Sequence, residues 1–198
     1  MNFLIGADEV GYGSWAGPLC VAAVRAPEDW HLAGLNDSKK LSRKNRELLS
    51  QQLWTLHHSE DILINVATAC NQQIDREGIA VVQRKLFLEV INHCACESAT
   101  AIVDGKLVLN KTLLKVPYQS VIKADGSVST VMAASIIAKV YRDTLMYGQD
   151  SIYPGYDFIN NVGYGTKKHQ AGLKQLGPSK IHRMSYKPLM FYQTKENL

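Results

Sequence analysis

The sequence predicts an α/β domain with a mixed sheet covered by helices, on three observations. Apolar strand-like runs dominate the first third, helical periodicities then alternate with strands, and no repeat, low-complexity tract or long linker breaks the 198 residues. Such alternation is the pattern of a sheet layered by helices. A chain of this length is expected to form one sizeable domain over 1–198, with a more polar part from about Tyr147 onward.

Asn2–Ala7 reads as the first strand, and Leu19–Ala26 as the second, entered through Gly17-Pro18. Ser42 is the expected N-cap of a helix with Leu48, Leu49, Leu53 and Leu56 on one side. In Asp61–Ala69, Ile62, Ile64 and Val66 alternate as in a strand. Val82, Leu86 and Val90 lie at helical spacing in a long helix over Ile79–Cys96. Ala101-Ile102-Val103 is a short apolar strand running into Asp104-Gly105, and Tyr118–Lys123 is another strand. Thr130–Met146 is a helix capped by Ser127 or Ser129. Thr166–Leu176 is a shorter helix, with Thr166 as cap and Gly177 as terminator.

Composition narrows the function classes. A hydrophobic fraction of 46% and a charged fraction of 20% are ordinary for a globular protein. The formal charge of +4 is compatible with a nucleic-acid partner without selecting one. Cys20, Cys70, Cys94 and Cys96 lack the ligand spacing of a zinc site and read as reduced thiols. Neither a leader pattern nor a bilayer-length apolar stretch occurs, so a cytoplasmic protein without a membrane partner is expected.

The chemistry concentrates at strand ends. Asp8-Glu9, Asp104 and Asp125 each follow an apolar strand and lie beside or near glycine. In α/β sheets, active sites gather where strands end. Each Asp-Gly taken singly is a turn signal, but four carboxylates gathered at one spot would repel and require a counter-charge. Hard oxygen donors suit Mg²⁺ or Mn²⁺, and two such ions form a clamp for phosphodiester hydrolysis. No Ser/His/Asp or Cys/His arrangement competes. Gly11-Tyr12-Gly13 follows the acidic pair, and glycines there let backbone groups approach a sugar or phosphate; a plain tight turn is the alternative. Lys39 reads as a phosphate contact or as a charge partner of the acids. Lys123, two residues from Asp125 in an extended strand, is a second candidate partner. Ser135 reads as a packing residue among small neighbours, and His182 as a hydrogen-bonded structural histidine.

An ordered set of motifs resembles the prokaryotic type 2 ribonucleases H, specifically ribonuclease HII. It runs from Gly6-Ala7-Asp8-Glu9-Val10-Gly11 and Asp37-Ser38-Lys39-Lys40-Leu41-Ser42 through Val103-Asp104-Gly105 and Lys123-Ala124-Asp125. Ala133-Ala134-Ser135-Ile136-Ile137-Ala138-Lys139-Val140-Tyr141-Arg142-Asp143, Gly163-Tyr164-Gly165-Thr166 and His182-Arg183-Met184-Ser185-Tyr186 complete it. The resemblance covers almost the whole chain.

It implies an RNase H-like fold, a five-stranded mixed sheet flanked by helices, with a helical C-terminal extension over about 147–198 that binds substrate. It implies an endoribonuclease, acting as a monomer, that cuts the RNA strand of RNA–DNA hybrids and incises at single ribonucleotides in duplex DNA, leaving 3′-hydroxyl and 5′-phosphate ends. By motif, Asp8, Glu9, Asp104 and Asp125 are the catalytic ligands of two Mg²⁺ or Mn²⁺ ions. Gly11, Tyr12 and Gly13 would contact 2′-hydroxyl groups. Tyr164 would stack on the adjoining deoxyribose, and Lys39 and Arg183 would serve the substrate backbone. Tyr12 departs from the family pattern, which has arginine or lysine between the glycines, and tyrosine cannot supply that charge. Two rivals follow: a ribonuclease HIII-like preference for longer RNA, and a catalytically silent hybrid-binding protein.

Overall fold

The acidic pair lies inside the first strand and not beyond its end. The computed structural model describes residues 1–193, and β1 runs over Phe3–Val10. It pairs antiparallel with β2, Leu19–Pro27, with Asp8 opposite Ala22 and Glu9 opposite Val21. The ladder to β2 therefore carries the strand past the predicted boundary at Ala7.

Helix α1 spans Arg43–His58, and its N-cap Ser42 accepts from the Asn45 amide at 3.2 Å, as its sequence predicts. Leu49 and Leu53 are buried, whereas Leu48 is exposed. Strand β3 covers Leu63–Ala69. Helix α2, Asn71–Glu77, was not expected: it buries a single apolar residue, Ile74, so it shows no periodicity. Helix α3 covers Ile79–Cys94, two residues short of the expected end.

Strand β4, Ala99–Asp104, lies parallel to β1, and β5, Tyr118–Val121, lies parallel to β4. The sheet order is β3-β2-β1-β4-β5, a mixed five-stranded sheet as expected. The β1–β4 register pairs Ala7 with Val103, so Asp8 and Asp104 each follow one member of a paired couple. This register sets two acids side by side.

The expected strand over Tyr118–Lys123 stops at Val121. Lys123 adopts a left-handed conformation (φ 61°), and Ala124–Gly126 form a 3₁₀ turn. A left-handed residue cannot continue a pleated strand, so Lys123 and Asp125 do not share a strand face. Helix α4 runs Ser129–Ile152, longer than predicted. Two short helices, α5 at Phe158–Asn161 and α7 at Met190–Gln193, were not expected. Between them α6 spans Lys167–Leu176, with the Thr166 hydroxyl accepting from the His169 amide and Gly177 ending the helix at φ 73°. Residues 194–198 of the expected extension lie outside the described residues.

The chain forms two compact units. One comprises Met1–Val10, Cys20–Ala67 and Arg84–Val140; the other comprises Gly11–Leu19, Thr68–Gln83 and the described residues from Tyr141 onward. In the first, Val24, Leu53, Ile64, Ile136 and Ile137 are core residues, each contributing about 2 kcal/mol by removal from water. Gly6 permits the close seating of α4: a Cβ there would overlap the backbone of Thr130 and Val131. The second unit has its own core of Met146, Tyr156, Phe158, Leu173 and Leu189. Among the described residues no helix is long and apolar enough to cross a membrane.

Candidate active site

In the first unit the four carboxylates come from three elements. Asp8 and Glu9 stand on β1, Asp104 ends β4, and Asp125 sits in the 3₁₀ turn after β5. Asp8 is buried, and its carboxyl is pushed up to about 7 by burial first, then by the charges of Glu9 and Asp104. Each of three carboxylates already holds a protein donor. Asp8 Oδ1 accepts from the Glu9 amide at 2.8 Å, Asp104 Oδ1 from the Ala124 amide at 2.7 Å, and Asp125 Oδ2 from Lys39 Nζ at 3.1 Å.

Lys39 is thus placed as the charge partner of the acids. Its hydrogen bond to Asp125 raises its pKa, while most of the side chain stays in solvent. Lys123, the other candidate partner, is exposed. Ser135, read from sequence as a packing residue, does more than pack: its hydroxyl hydrogen-bonds Asp8 and lies 2.7 Å from the Ser38 hydroxyl. Ser38 and Ser135 are the site residues that sequence reasoning missed. The signal available was Ser38 between Asp37 and Lys39, and Ser135 four residues before Lys139.

In the second unit the turn Gly11-Tyr12-Gly13 exposes Tyr12 and Gly13. Gly11 has φ 90°, and a Cβ on it would overlap the Arg142 guanidinium, so glycine is required twice over. Arg142 is fully buried and donates to the Pro18, Val162 and Ala16 carbonyls and to the Ser14 hydroxyl. Its guanidinium lies 5.7 Å from the centre of the half-buried Tyr164 ring. The Tyr164 carbonyl accepts from the Thr166 amide at 2.8 Å.

Arg183 requires a correction. Expected as a substrate-backbone contact, its side chain is wholly buried and binds the carbonyls of Gly11, Tyr12 and Gly17. A guanidinium with no exposed surface cannot pair directly with a phosphate. His182, by contrast, is the hydrogen-bonded buried histidine its sequence suggests.

Comparison with known proteins sets this geometry in a family. The family model for ribonuclease HII matches residues 5–189. The chain belongs to the ribonuclease HII family. A ribonuclease HII from Leuconostoc citreum is 38% identical over 189 residues, covering 96% of this chain and 70% of that protein. In the PCNA:RNase HII complex from Archaeoglobus fulgidus, the matched structure has a TM-score of 0.78 at 26% identity, covering 93% of this chain and 95% of that one. A Bst-RNase HIII in complex with Mn²⁺ gives a TM-score of 0.69 at 19% identity, covering 98% of this chain and 70% of that one, which shows the shared fold.

Membership makes the chain a ribonuclease H, a metal-dependent endonuclease. The residues present suit a divalent ion by their chemistry: they are hard oxygen donors, and burial first, then the charges of Glu9 and Asp104, raise Asp8. Among the described residues, no three His, Cys, Asp or Glu side chains already stand as a closed ligand set.

Proposed function

We propose that Asp8, Glu9, Asp104 and Asp125 hold two Mg²⁺ or Mn²⁺ ions, and that the chain incises beside single ribonucleotides in duplex DNA as well as cutting the RNA strand of hybrids. Hybrid endoribonuclease activity goes with the family, and the cleavage we propose leaves 3′-hydroxyl and 5′-phosphate ends. The observation that carries it is Asp8, a buried carboxyl raised to about 7 by burial and by two neighbouring acids. Groups kept together against their own repulsion fit a site that takes up positive charge.

Bound divalent ions would supply an activated water and stabilise the leaving 3′ oxygen. The protein's part is orientation. Ser135 and the Glu9 amide fix Asp8, the Ala124 amide fixes Asp104, and Lys39 holds Asp125. Gly11, Tyr12 and Gly13 read the ribose through backbone groups, and Tyr164 packs against the adjoining deoxyribose, where a 2′-hydroxyl would intrude. The part from about Tyr147 onward serves as the substrate-binding extension of this cytoplasmic, monomeric enzyme.

One observation favours a second reading. The exposed Tyr12 brings no charge to the turn, which suits ribonuclease HIII-like preference for longer RNA. Cleavage of two labelled duplexes separates them, one with a single ribonucleotide and one with a continuous RNA strand, each in Mg²⁺ and in Mn²⁺ beside an Asp8→Asn control. Cutting at the single ribonucleotide, lost in the control, is expected. Cutting of the continuous hybrid alone would establish the second reading. Hybrid binding without cleavage in either metal would make the chain a silent binder.

A further inference from the structure

Arg183 is a cation in a dry place with an unusual set of partners. Its Nε donates to the Gly17 carbonyl at 3.0 Å. Its Nη1 lies 2.7 Å from the Gly11 carbonyl oxygen, 3.0 Å from that of Tyr12 and 2.8 Å from the Tyr186 hydroxyl. The Tyr186 hydroxyl donates in turn to the Tyr12 carbonyl at 2.5 Å. Every one of these acceptors is neutral. Nη2 is buried and has no partner. A buried cation with an unsatisfied donor costs stability, so packing alone is a poor account of it.

Peptide geometry turns these contacts into a statement about the exposed side of the turn. In a trans peptide, C=O and N–H point opposite ways. The Gly11 carbonyl drawn toward Arg183 therefore sends the Tyr12 amide away from it. The Tyr12 carbonyl, held by Arg183 and Tyr186, sends the Gly13 amide the same way. Neither amide meets a protein acceptor among the described residues. Two successive outward N–H groups backed by a guanidinium form a site for a hydroxyl or phosphate oxygen.

We propose that Arg183 is a positioning residue for substrate: it holds the Tyr12 and Gly13 amides toward a ribose or phosphate oxygen and lends them positive potential that the Tyr12 side chain lacks. This rests on reading the turn as a substrate contact. Tyr186 is the second member of the clamp.

The test measures hybrid dissociation constants and steady-state kinetics, with melting curves, for Arg183→Gln, Arg183→Lys, Tyr186→Phe, Gly13→Ala and the double variant Arg183→Gln/Tyr12→Arg. Arg183→Gln is expected to weaken hybrid binding about tenfold, with KM rising more than kcat falls. Arg183→Lys should recover part of the loss, as should Tyr12→Arg in the Arg183→Gln background. Tyr186→Phe, the milder change, should weaken binding by about threefold and carries the test if the Arg183 variants do not fold. Gly13→Ala has open space around its new Cβ in the protein, so it reports on the turn alone. If Gly13→Ala binds hybrid as the parent does, the turn is not a substrate contact and the underlying reading fails. If Gly13→Ala weakens binding while folded Arg183 and Tyr186 variants bind normally, the positioning role is overturned.

Discussion

The Nε2 atoms of His182 and His169 lie 2.9 Å apart in the core of the second unit, and the partners at the two Nδ1 atoms fix which ring donates. The Ser179 amide donates to His182 Nδ1 at 2.8 Å. An amide nitrogen cannot accept, so the neutral His182 ring carries its proton on Nε2 and donates it to His169. His169 then carries its proton on Nδ1, 3.0 Å from the Tyr164 carbonyl that accepts it. The relay Ser179–His182–His169–Tyr164 runs in one direction and works with both rings neutral.

That relay gives an acid sensitivity. Burial lowers the His182 pKa to about 4, assisted by His169, and burial lowers His169 as well. The unfolded chain therefore binds more protons than the folded one between about 6.5 and 4, and stability falls as pH drops through that window. His182 alone accounts for roughly 3 kcal/mol, lost in full below its folded pKa. Urea denaturation of the parent and of His182→Phe across pH 7.5 to 4.5 checks this. The parent should lose stability more steeply; parallel curves would count against it.

Asp8 behaves in the opposite sense without metal. Its folded pKa is raised to about 7, so the folded state binds the extra proton and its stability falls as pH rises from about 4 through 7. Asp8→Asn removes that burden. The metal-free variant should melt at least about 4 °C higher than the parent at pH 8, with a smaller gain at pH 5, and should have no measurable cleavage. A lower melting temperature at pH 8 would show that Asp8 contributes bonds worth more than its repulsion costs.

Lys39 Nζ lies 3.1 Å from Asp125 Oδ2, so under the proposed metal role it would compete with a cation for that carboxylate. Lys39→Met should lower the Mn²⁺ concentration needed for half-saturation by about threefold, read by calorimetry on the protein without substrate. Because the lysine side chain is largely exposed, stability should change by no more than about 0.5 kcal/mol. An unchanged or raised Mn²⁺ midpoint would mean that Lys39 assists the ion.

Gly6 is the contact on which α4 rests. Gly6→Ala forces a Cβ into the backbone of Thr130 and Val131, and neither can yield without moving the helix that carries Ser135. A loss of about 2 kcal/mol is expected in denaturant titration, together with reduced cleavage in the fraction that stays folded. Parent-like stability would show that α4 shifts freely.

Local signals were legible in the sequence by itself. The caps Ser42 and Thr166, the terminator Gly177, the alternation of strands with helices and the positions of Asp8, Glu9, Asp104 and Asp125 could all be read there. Each depends on a side chain and a backbone group a few residues apart, or on one period, so a short window contains the cause. The tertiary structure decided the partnerships: Lys39 on Asp125 across 86 residues, Ser38 on Ser135 across 97, and Arg183 on Gly11 across 172. It also decided that Arg183 is buried while Lys39 stays in water, and that Lys123 turns away through a left-handed residue. A charge next to an acid in sequence and a charge next to it in space look alike until the sheet order and the buried faces are set, because burial and Coulomb energy depend on distance in the fold and not along the chain.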